Sequence, residues 1–463
     1  MKQFDFDVAV VGGGSGGYAA ARTAASNGLK TVVIEGGDEV GGLCILRGCM
    51  PTKVLLYASD VLHLARSSKV WGLKIPKAGF DFAKVMARKD TLIKEFADYR
   101  HDQLKGGKFH FIRGKAHFTD PHTVVVNHGK SVTAKNFILS TGSTIAPSPL
   151  PHLKEVGCLT SDSALSLKKL PKSLIVLGGG AVAVEFAQFF QRFDVKVTLI
   201  QRSEHLVREF DSDAGDAMCK VFRREGMKVY SCTRLIDASK KGKLKCVSFE
   251  HEGKTRRVSA EEILFALGRI PNTANLDLQK AKVTTEYGRI MANPQMQTTA
   301  PHIYAAGDCT GPHEIVHIAI QQGEVAAHNI AHPHKKKSMD YRLLTSVVFT
   351  DPQIASVGLT ERQACAKSIP YLVASYPFAD HGKSLIMEAK DGFVKLLAHP
   401  TTGEILGGSC VGPMGGELIH EIIAAMHKSM TVHELAAMPH YHPTLAEIWT
   451  YPAEELAEKI SIH

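Results

Sequence analysis

Residues 6–35 read FDVAVVGGGSGGYAAARTAASNGLKTVVIE: an apolar β-rich run, a glycine turn, an alanine-rich helix and a second strand. Gly12, Gly14 and Gly17 stand where a tight turn, a close approach to a pyrophosphate and close helix–strand packing require small residues. The helix amino terminus attracts phosphates, and Glu35, about twenty residues beyond the glycines, can accept hydrogen bonds from a ribose. The segment therefore predicts a dinucleotide-binding β-α-β unit.

The same pattern returns at residues 173–202, which read SLIVLGGGAVAVEFAQFFQRFDVKVTLIQR. Gly178, Gly180 and Ala183 occupy the three glycine positions of the second copy. Two such units in one chain indicate two dinucleotides, and hence hydride transfer between bound cofactors.

The second copy ends without an acid. Gln201 stands where Glu35 closes the first copy, and Arg202 and Arg208 follow. A carboxylate here suits the free 2′-hydroxyl of NAD and repels a 2′-phosphate, whereas a guanidinium pairs with phosphate in a forked geometry. The pattern favours NADP(H) over NAD(H); the alternative is that both arginines are ordinary surface residues.

Two cysteines lie close together in GGLCILRGCMPTK, residues 41–53. Cys44 and Cys49 could form a metal site, a structural disulfide or a working redox pair. Two cysteines alone do not complete the four-ligand site that zinc prefers. Nine cysteines spread through a long chain also do not fit a secreted disulfide framework.

Composition narrows the class of protein. The chain has 463 residues, of which 44% are hydrophobic and 22% charged, and at about 150 residues per domain this length predicts about three domains. No apolar run approaches the ~20 residues of a membrane span, and the first residues lack a basic leader. We therefore expect a cytoplasmic protein that does not enter a membrane.

The net charge of +9 lies partly in two local runs, SKKGKLK at 239–245 and HKKK at 334–337. No segment alternates basic with aromatic residues, so the sequence does not predict nucleic-acid binding. HEIVH at 313–317 fits the zinc-protease pattern HExxH. No third ligand follows by the pattern, and we expect no metal site.

In series, these motifs resemble the flavin-dependent pyridine nucleotide–disulfide oxidoreductases, the family of dihydrolipoamide dehydrogenase, glutathione reductase and mercuric reductase. The resemblance covers essentially the whole chain in order, through GGGSGG, CILRGCMPTK, STGS, GGGAVAVEFA, ALGRIPNT, YAAGDCTG, VVFTDPQIASVGLTE and HPTLAE. It implies an α/β protein with two Rossmann-like dinucleotide-binding domains followed by an α+β dimerisation domain. The expected boundaries are 1–147 and 270–339 for the FAD-binding domain, 148–269 for the NAD(P)-binding domain and 340–463 for the dimerisation domain.

The resemblance also assigns the cysteines. It implies that Cys44 and Cys49 form a redox-active disulfide beside the flavin. Cys44 is then the thiol that attacks the substrate sulfur, and Cys49 exchanges electrons with the flavin. Lys53 is expected near the flavin N5 atom, paired with Glu185. A helix amino terminus and nearby cations would lower the pKa of such thiols.

Five further positions match flavin-binding motifs of the family. The resemblance places Thr141 and Gly142 in a flavin-contacting turn and Asp308 on the ribityl chain. His317 matches a position in the helix at the flavin edge, and Gly268 lies within ALGRIPNT. The implied cofactor is FAD.

One position departs from the family pattern next to the thiols. Leu46 stands where an asparagine is usual, and Arg47 follows it. Arg47 either stabilises a thiolate or guides an anionic group toward Cys44, or it faces solvent.

The segment HYHPTLAEIW, residues 440–449, supplies the acid–base group of the family. His442 and Glu447 match the histidine–glutamate pair that reaches the disulfide of the other subunit. A carboxylate fixes the imidazole tautomer and raises its basicity. The resemblance therefore implies a homodimer with shared active sites, and His440 is the expected bystander.

The substrate is less sharply marked. Ala181 replaces the gating tyrosine usual in glutathione reductases, whose carboxylate-binding arginines are matched by Arg22 but not by Asn329. The chain ends EKISIH and lacks the terminal cysteine pair of mercuric reductases. We expect a dihydrolipoamide dehydrogenase-like enzyme whose dithiol/disulfide substrate could sit on an acidic lipoyl domain. The alternative is an NADPH-dependent reductase of a glutathione-type disulfide, a quinone or a metal ion.

Overall fold

The computed structural model describes residues 3–127 and 129–460. The last three residues of the EKISIH segment, and the first two of the chain, lie outside the described residues. The chain forms two compact units. The first unit comprises Met1–Val54, Lys84–Pro147 and Gly268–Asp340, and the second comprises Leu55–Ala83, Ser148–Leu267 and Tyr341–His463.

The strands of the described residues follow in chain order. They are β1 Phe6–Val11, β2 Thr31–Glu35, β3 His110–Arg113, β4 Ala116–Asp120, β5 Thr123–Val126, β6 Lys130–Leu139, β7 Ser143–Ile145, β8 Ser173–Leu177, β9 Lys196–Ile200, β10 Lys228–Tyr230, β11 Arg234–Lys241, β12 Leu244–His251, β13 Lys254–Ala260, β14 Glu262–Phe265, β15 Arg269–Pro271, β16 Thr285–Glu286, β17 Arg289–Ile290, β18 Ile303–Ala305, β19 Thr345–Val348, β20 Gln353–Gly358, β21 Leu372–Pro377, β22 Phe393–Ala398 and β23 Ile405–Gly412.

The α-helices of the same residues are given likewise. They are α1 Ser15–Ser26, α2 Gly42–Arg47, α3 Cys49–Ser67, α4 Phe82–Lys105, α5 Pro151–Glu155, α6 Ser161–Ala164, α7 Ala181–Arg192, α8 Ser212–Arg224, α9 Val316–Ala331, α10 Glu361–Ala366, α11 Gly382–Ile386, α12 Gly415–His427, α13 Val432–Ala437 and α14 Thr450–Lys459. Among the described helices, none is both long and apolar enough to cross a bilayer.

The first unit is built on a parallel sheet in the order β3-β2-β1-β6-β18. The amino-terminal half of β6 also pairs antiparallel with β5, which pairs antiparallel with β4. Helix α1 follows β1 and packs against α9. Residues 8–11 of β1 and 32–34 of β2 are buried in the core, as paired strands inside a parallel sheet require, and Phe6 packs partly buried against it.

The first glycine turn cannot accept side chains at two of its positions. Gly12 has φ +105°, and a Cβ added there would overlap the carbonyl oxygen of Ser140. A Cβ added at Gly17 would overlap the carbonyl oxygen of Gly12. The glycines therefore let α1 start directly against the strands, as the sequence predicted.

The second unit repeats the parallel β-α-β arrangement. Its sheet has the order β10-β9-β8-β14, with all pairs parallel, and α7 connects β8 to β9. An antiparallel meander, β11-β12-β13, follows β10 in the chain. Gly178 repeats the strained turn of Gly12 with φ +120°, and Ala183 is tolerated at the third position.

The carboxyl-terminal part of the second unit is an antiparallel sheet in the order β19-β20-β23-β22-β21, packed against α12 and α14. Trp449 is fully buried in its core, and its indole N–H donates to the Leu418 carbonyl at 3.1 Å. The predicted fold class, two Rossmann-like units followed by an α+β domain, is confirmed.

Two buried cations bind α7 and α8 of the second unit to its carboxyl-terminal sheet. Arg192 contacts Asp60 at 2.7 Å, Glu225 at 2.7 Å and Asp351 at 2.8 Å. A second cluster surrounds Lys395, whose amine contacts carboxylates at 3.1, 2.7 and 2.7 Å, from Asp211, Asp213 and Glu361. A buried cation needs carboxylate partners, because an unpaired buried charge is costly.

Candidate active site

The amino termini of α1 and α7 are suited to bind phosphates. Gly14 and Gly180 cap these helices without a side-chain hydrogen bond, and neither first turn contains an acidic residue. A Cβ added at Gly180 would meet no atom within 4 Å, and at Gly14 the nearest atom would lie at 3.8 Å. Each helix therefore presents backbone N–H donors to open space, as a dinucleotide pyrophosphate requires.

Glu35 lies at the end of β2, next to the first glycine turn. Its Oε2 accepts from the Gly13 N–H at 2.7 Å, and its Oε1 accepts from the Gly37 N–H at 2.6 Å. These bonds fix the carboxylate, and each oxygen retains acceptor capacity for a ribose hydroxyl.

Gln201 occupies the equivalent place after β9, but its amide is already used. It is 6% exposed, and its Nε2 donates to the carbonyls of Ser203 at 2.8 Å and His205 at 2.6 Å. Gln201 thus shapes the loop and brings no charge, while Arg202 and Arg208 are exposed on that loop.

A hydrogen-bond network that the sequence analysis did not predict joins Ser143 of the predicted flavin-contacting turn to Asp308. Oδ2 of Asp308 accepts from the Ser143 hydroxyl at 2.7 Å. Arg269 donates to the same hydroxyl oxygen at 2.8 Å and to the Ser143 carbonyl at 2.8 Å. This network fixes the Asp308 carboxylate against Ser143, which directly follows Thr141 and Gly142 in the chain. Ser143 lies within the quoted motif STGS and Arg269 within ALGRIPNT, but the sequence analysis assigned neither residue a role.

Glycines keep this region open. Gly142, with φ +70°, and Gly268, with φ +117°, would each accept a Cβ without meeting any atom within 4 Å. The Gly268 carbonyl accepts from the Ala146 N–H at 3.0 Å, and the Gly142 carbonyl accepts from the Asn272 N–H at 2.9 Å. The residues of the first unit therefore fit FAD: uncapped helix donors, a fixed ribose acceptor, an oriented aspartate and open glycine surfaces.

The thiol pair lies where two helices meet. Cys44 is on α2 and half-buried, whereas Cys49 is exposed at the first position of α3. The nine cysteines, all within the described residues, are thiols. Cys49 hydrogen-bonds to Cys44, and this contact, together with burial, raises the pKa of Cys44. The charges of Lys53 and Arg100 act in the opposite direction and lower that pKa.

Arg100 is the cation near the thiols that sequence reasoning missed. It lies on α4, and its guanidinium stacks over the Tyr18 ring at 4.3 Å. Its Nε and Nη1 atoms are buried without a hydrogen-bond partner among the described residues, and desolvation lowers its pKa. Arg47, by contrast, is exposed at the end of α2. No quoted motif contains Arg100. Only the folded structure, in which its charge acts on Cys44, identifies it as part of the site.

Lys53 and Glu185 lie in different units. Lys53 is half-buried in the second turn of α3. Glu185 is 3% exposed on α7, and its Oε1 accepts from the Phe349 N–H at 2.9 Å. Their pairing stays a prediction.

The candidate acid–base pair lies in the carboxyl-terminal part of the second unit. Nδ1 of His442 lies 2.9 Å from Oε2 of Glu447. Glu447 is buried at the start of a short 3-10 helix. His440, the expected bystander, contacts a different carboxylate, because its Nε2 lies 2.6 Å from Oε1 of Glu421.

A third histidine, His381, approaches the same carboxylate. Its Nε2 lies 3.3 Å from Oε1 of Glu447, and its Nδ1 lies 2.8 Å from the Ser384 hydroxyl. Sequence reasoning did not find this residue, since it stands over sixty positions upstream in a segment without a recognised motif.

The HEIVH segment does not have the zinc-protease geometry. Helix α9 begins at Val316, so His313 precedes the helix and does not share a helical face with His317. His317 itself is exposed in the first turn of α9. Within the described residues, no cluster of three His, Cys, Asp or Glu side chains could hold a metal ion.

Comparisons with known proteins support the family that the sequence motifs indicated. Residues 6–323 match the family described as pyridine nucleotide-disulphide oxidoreductase, and residues 344–453 match its dimerisation domain. The dihydrolipoyl dehydrogenase of Geobacillus stearothermophilus is 36% identical over 98% of this chain and 96% of its own. The mercuric reductase of Staphylococcus aureus is 33% identical over 96% of this chain and 81% of its own.

A solved structure shares the whole architecture. The Cu(II) complex of the HOCl-induced flavoprotein disulfide reductase RclA from Escherichia coli superposes with a TM-score of 0.86 at 25% identity. The alignment covers 98% of this chain and 100% of the RclA chain.

Proposed function

Because the chain belongs to the pyridine nucleotide–disulphide oxidoreductase family, whose members use FAD and a pyridine nucleotide, we propose that it is a dihydrolipoamide dehydrogenase-like enzyme with Cys44 and Cys49 as its redox pair. One observation carries the assignment: the two thiols are hydrogen-bonded to each other, with the positive charges of Lys53 and Arg100 acting on Cys44. Two thiols in contact can form a disulfide by thiol–disulfide exchange, and the two cations partly offset the rise in the pKa of Cys44.

The proposed reaction transfers two electrons between the cysteine pair and the substrate disulfide. In the reductive direction, the Cys44 thiolate attacks one sulfur of the substrate disulfide and forms a mixed disulfide. The released substrate thiolate takes a proton from His442. The Cys49 thiolate then attacks the Cys44 sulfur, which forms the Cys44–Cys49 disulfide and releases the second substrate thiolate. FAD, when bound, carries the two electrons between this disulfide and the nicotinamide.

The proposed FAD site uses residues of the first unit. Gly12, Gly14 and Gly17 admit the pyrophosphate, Glu35 accepts from the ribose, and Asp308 holds the ribityl chain. Thr141, Gly142, Gly268, Lys53 and His317 complete this set, with Glu185 as the partner of Lys53. The proposed domains are 1–147 with 270–339 for FAD, 148–269 for the nicotinamide and 340–463 for dimerisation.

The nicotinamide site is assigned to the second glycine turn, at Gly178, Gly180 and Ala183. The uncharged Gln201 and the exposed Arg202 and Arg208 favour NADP(H) over NAD(H) there. Dihydrolipoyl dehydrogenases are usually NAD-dependent, so this preference would set the present chain apart from them.

The chain carries the family's dimerisation domain, and we propose a homodimer whose active sites are shared. The exposure of His442 supports this arrangement, since its imidazole is available to the thiol pair of a second chain. A lipoyl group on an acidic carrier domain is the proposed substrate. A cytoplasmic location is part of the proposal, because nine cysteines spread through a long chain do not fit a secreted disulfide framework.

Two measurements test the proposal. Two-electron reduction in a stopped-flow instrument should produce a long-wavelength band from a thiolate beside the flavin. Steady-state assays with lipoamide, glutathione disulfide, a quinone and Cu(II), each with NADH and NADPH, should show lipoamide as the preferred acceptor. A quinone or metal ion reduced faster than any disulfide would favour the alternative reductase; one relative of this chain is named a mercuric reductase.

Cys44→Ser separates disulfide chemistry from flavin binding. The variant should retain flavin, because the FAD contacts lie in other segments, and it should lose reduction of disulfides. Flavin absorbance per protein and lipoamide turnover give the two readings. Turnover of lipoamide at the wild-type rate would eliminate the redox-pair assignment.

A further inference from the structure

His381 lies on the far side of the proposed acid–base carboxylate. It is fully buried, at 0% exposure, immediately before the short helix α11. Its Nε2 lies 3.3 Å from Oε1 of Glu447, while Oε2 of Glu447 lies 2.9 Å from Nδ1 of His442. The two oxygens of one carboxylate are therefore divided between a buried and an exposed histidine.

Ser384 and Glu447 contact the two ring nitrogens of His381 and together determine its tautomer. The Ser384 hydroxyl is fully buried and lies 2.8 Å from Nδ1 of His381. Burial is the largest cause that lowers the pKa of His381, and Glu447 only partly opposes it. The ring is therefore neutral near pH 7 and carries one N–H. A carboxylate only accepts hydrogen bonds, so we assign that N–H to Nε2, which lies 3.3 Å from Oε1 of Glu447, and the Ser384 hydroxyl then donates to Nδ1.

A buried carboxylate needs donors on both oxygens. Glu447 is 8% exposed, and an unsatisfied buried oxygen would carry the full desolvation cost of the charged group. His442 alone satisfies only Oε2. Nε2 of His381 is buried, makes no regular hydrogen bond among the described residues and lies 3.3 Å from Oε1 of Glu447, so this carboxylate oxygen is the acceptor available to it.

We propose that His381 is a positioning residue of the disulfide half-reaction: its Nε2–H holds Oε1 of Glu447, so that Oε2 stays directed at Nδ1 of His442. This inference rests on the proposed function, because it takes the acid–base role of His442 as given. The His381 imidazole exchanges no proton with substrate. It acts through Glu447, which orients the imidazole of His442 and stabilises its protonated form.

The surroundings of His381 leave few other groups that could perform this task. Glu447 and His442 are the charged groups that act on its ring, and the ring of Tyr451 lies edge-on at 6.4 Å. Tyr451 is stacked on Tyr376 at 4.0 Å, so that its ring is held by another contact.

Two replacements of His381 distinguish the donor from the ring. In the FAD-loaded enzyme, His381→Phe keeps an aromatic ring and removes the donor, whereas His381→Gln places an amide N–H near the position of Nε2. Loss of a hydrogen bond to a charged group corresponds to a roughly tenfold or larger effect. His381→Phe should slow the disulfide half-reaction about tenfold and leave reduction of flavin by nicotinamide unchanged. His381→Gln should recover most of the lost rate.

The pH profile gives a reading that mere loss of packing would not move. Without its second donor, the Glu447 carboxylate becomes more basic and holds the proton of His442 more tightly. The apparent pKa of the disulfide half-reaction should therefore rise in His381→Phe and return toward the wild-type value in His381→Gln. Equal rate losses in both variants, or an unchanged pKa, would overturn the inference.

Two further variants keep the test decisive. Ser384→Ala removes the hydroxyl partner of Nδ1. It should slow the disulfide half-reaction and raise its apparent pKa, as His381→Phe does, but by a smaller amount. If His381→Phe does not fold, Ser384→Ala provides the test. His433→Phe is the matched control, because the Nε2–H of His433 donates to the Ile460 carbonyl at 2.8 Å, away from Glu447, and the variant should leave the half-reaction unchanged. If the disulfide half-reaction of His442→Ala ran at the wild-type rate, the proposed function itself would be wrong. If that half-reaction were slow in His442→Ala but unchanged in His381→Phe, only the present inference would be wrong.

Discussion

Nδ1 of His442 lies 2.9 Å from Oε2 of Glu447, and the side chains of these residues are 78% and 10% exposed. The buried carboxylate therefore anchors one ring nitrogen, and the rest of the imidazole is left accessible. A proton on Nδ1 satisfies the carboxylate and leaves Nε2 as the base. This arrangement suits proton exchange with a thiol that approaches from outside the fold of its own domain.

His442→Ala should slow the disulfide half-reaction at least ~10²-fold, the usual scale of a positioned acid–base group. Reduction of flavin by nicotinamide should change little, because no proton from His442 is required there. Stopped-flow traces of the two half-reactions measure both rates. His440→Ala is the matched control, since His440 is bound to Glu421. An effect confined to nicotinamide oxidation would remove His442 from this role.

Arg100 should tune the pKa of Cys44, the proposed attacking thiol. Its charge lowers the pKa of Cys44, against the larger opposing effects of the Cys49 hydrogen bond and burial. Arg100→Gln should therefore raise the pKa of Cys44 and reduce its thiolate fraction at neutral pH. The pH dependence of alkylation of the reduced enzyme should move to higher pH.

The same helix offers a control for that measurement. Arg88 is exposed on α4, and Arg88→Gln removes the same formal charge. Its alkylation profile should match the wild type. If Arg100→Gln also left the profile in place, the electrostatic role of Arg100 would be discarded.

The glycine turns could be predicted from sequence because their constraint is local. Gly12 and Gly178 each follow a strand directly, and each must adopt a positive φ against a neighbouring carbonyl. The same holds for the thiol pair, whose residues lie within a few positions of each other. A short quoted segment contains the whole signal in these cases.

The remaining site residues depend on contacts between distant segments. Arg100 reaches Tyr18 from α4, and His381 reaches Glu447 across more than sixty positions. Ser143 lies within STGS, but its contact with Asp308 also joins distant segments, so the motif alone did not reveal its role. An arginine or histidine in a polar segment gives no sign of its partner until the chain is folded, so these residues could not be identified beforehand.

Asp60 predicts a pH dependence of stability. Burial raises its pKa to about 6, against the opposing charge of Arg192, whereas an unfolded aspartate titrates near ~3.9. The folded state therefore keeps a proton that the unfolded state has lost between about pH 4 and 6. The contribution of Asp60 to stability falls as pH rises through this window.

The difference in urea midpoint between wild type and Asp60→Asn tests that sign. The wild type should gain stability relative to the variant when the pH is lowered from 7 to 5. Asp5→Asn is the control: hydrogen bonds from Thr133 lower the pKa of Asp5, so its window lies below the range measured. A midpoint difference for Asp60→Asn that is equal at both pH values would contradict the prediction.

Cofactor preference depends on the loop after β9. Gln201 donates both amide hydrogens to carbonyls of that loop. Gln201→Glu would set a carboxylate against two carbonyl oxygens, and it would disturb the loop as well as repel a 2′-phosphate. In the double variant Gln201→Glu with Arg202→Ala, preference should tilt toward NADH. The arginine is nevertheless the cleaner single change.

Arg202→Ala should raise the Michaelis constant for NADPH and leave that for NADH almost unchanged. A charge-assisted contact is worth about 1.5–3 kcal/mol, so its loss should lower NADPH efficiency roughly ten- to a hundredfold. Arg223→Ala removes an equally exposed charge from α8 and should affect neither cofactor, which controls for the general field of the basic surface. Steady-state kinetics with both nicotinamides measures the ratio. Equal losses with NADH and NADPH, or a wild type that already prefers NADH, would show that the exposed arginine does not bind the 2′-phosphate.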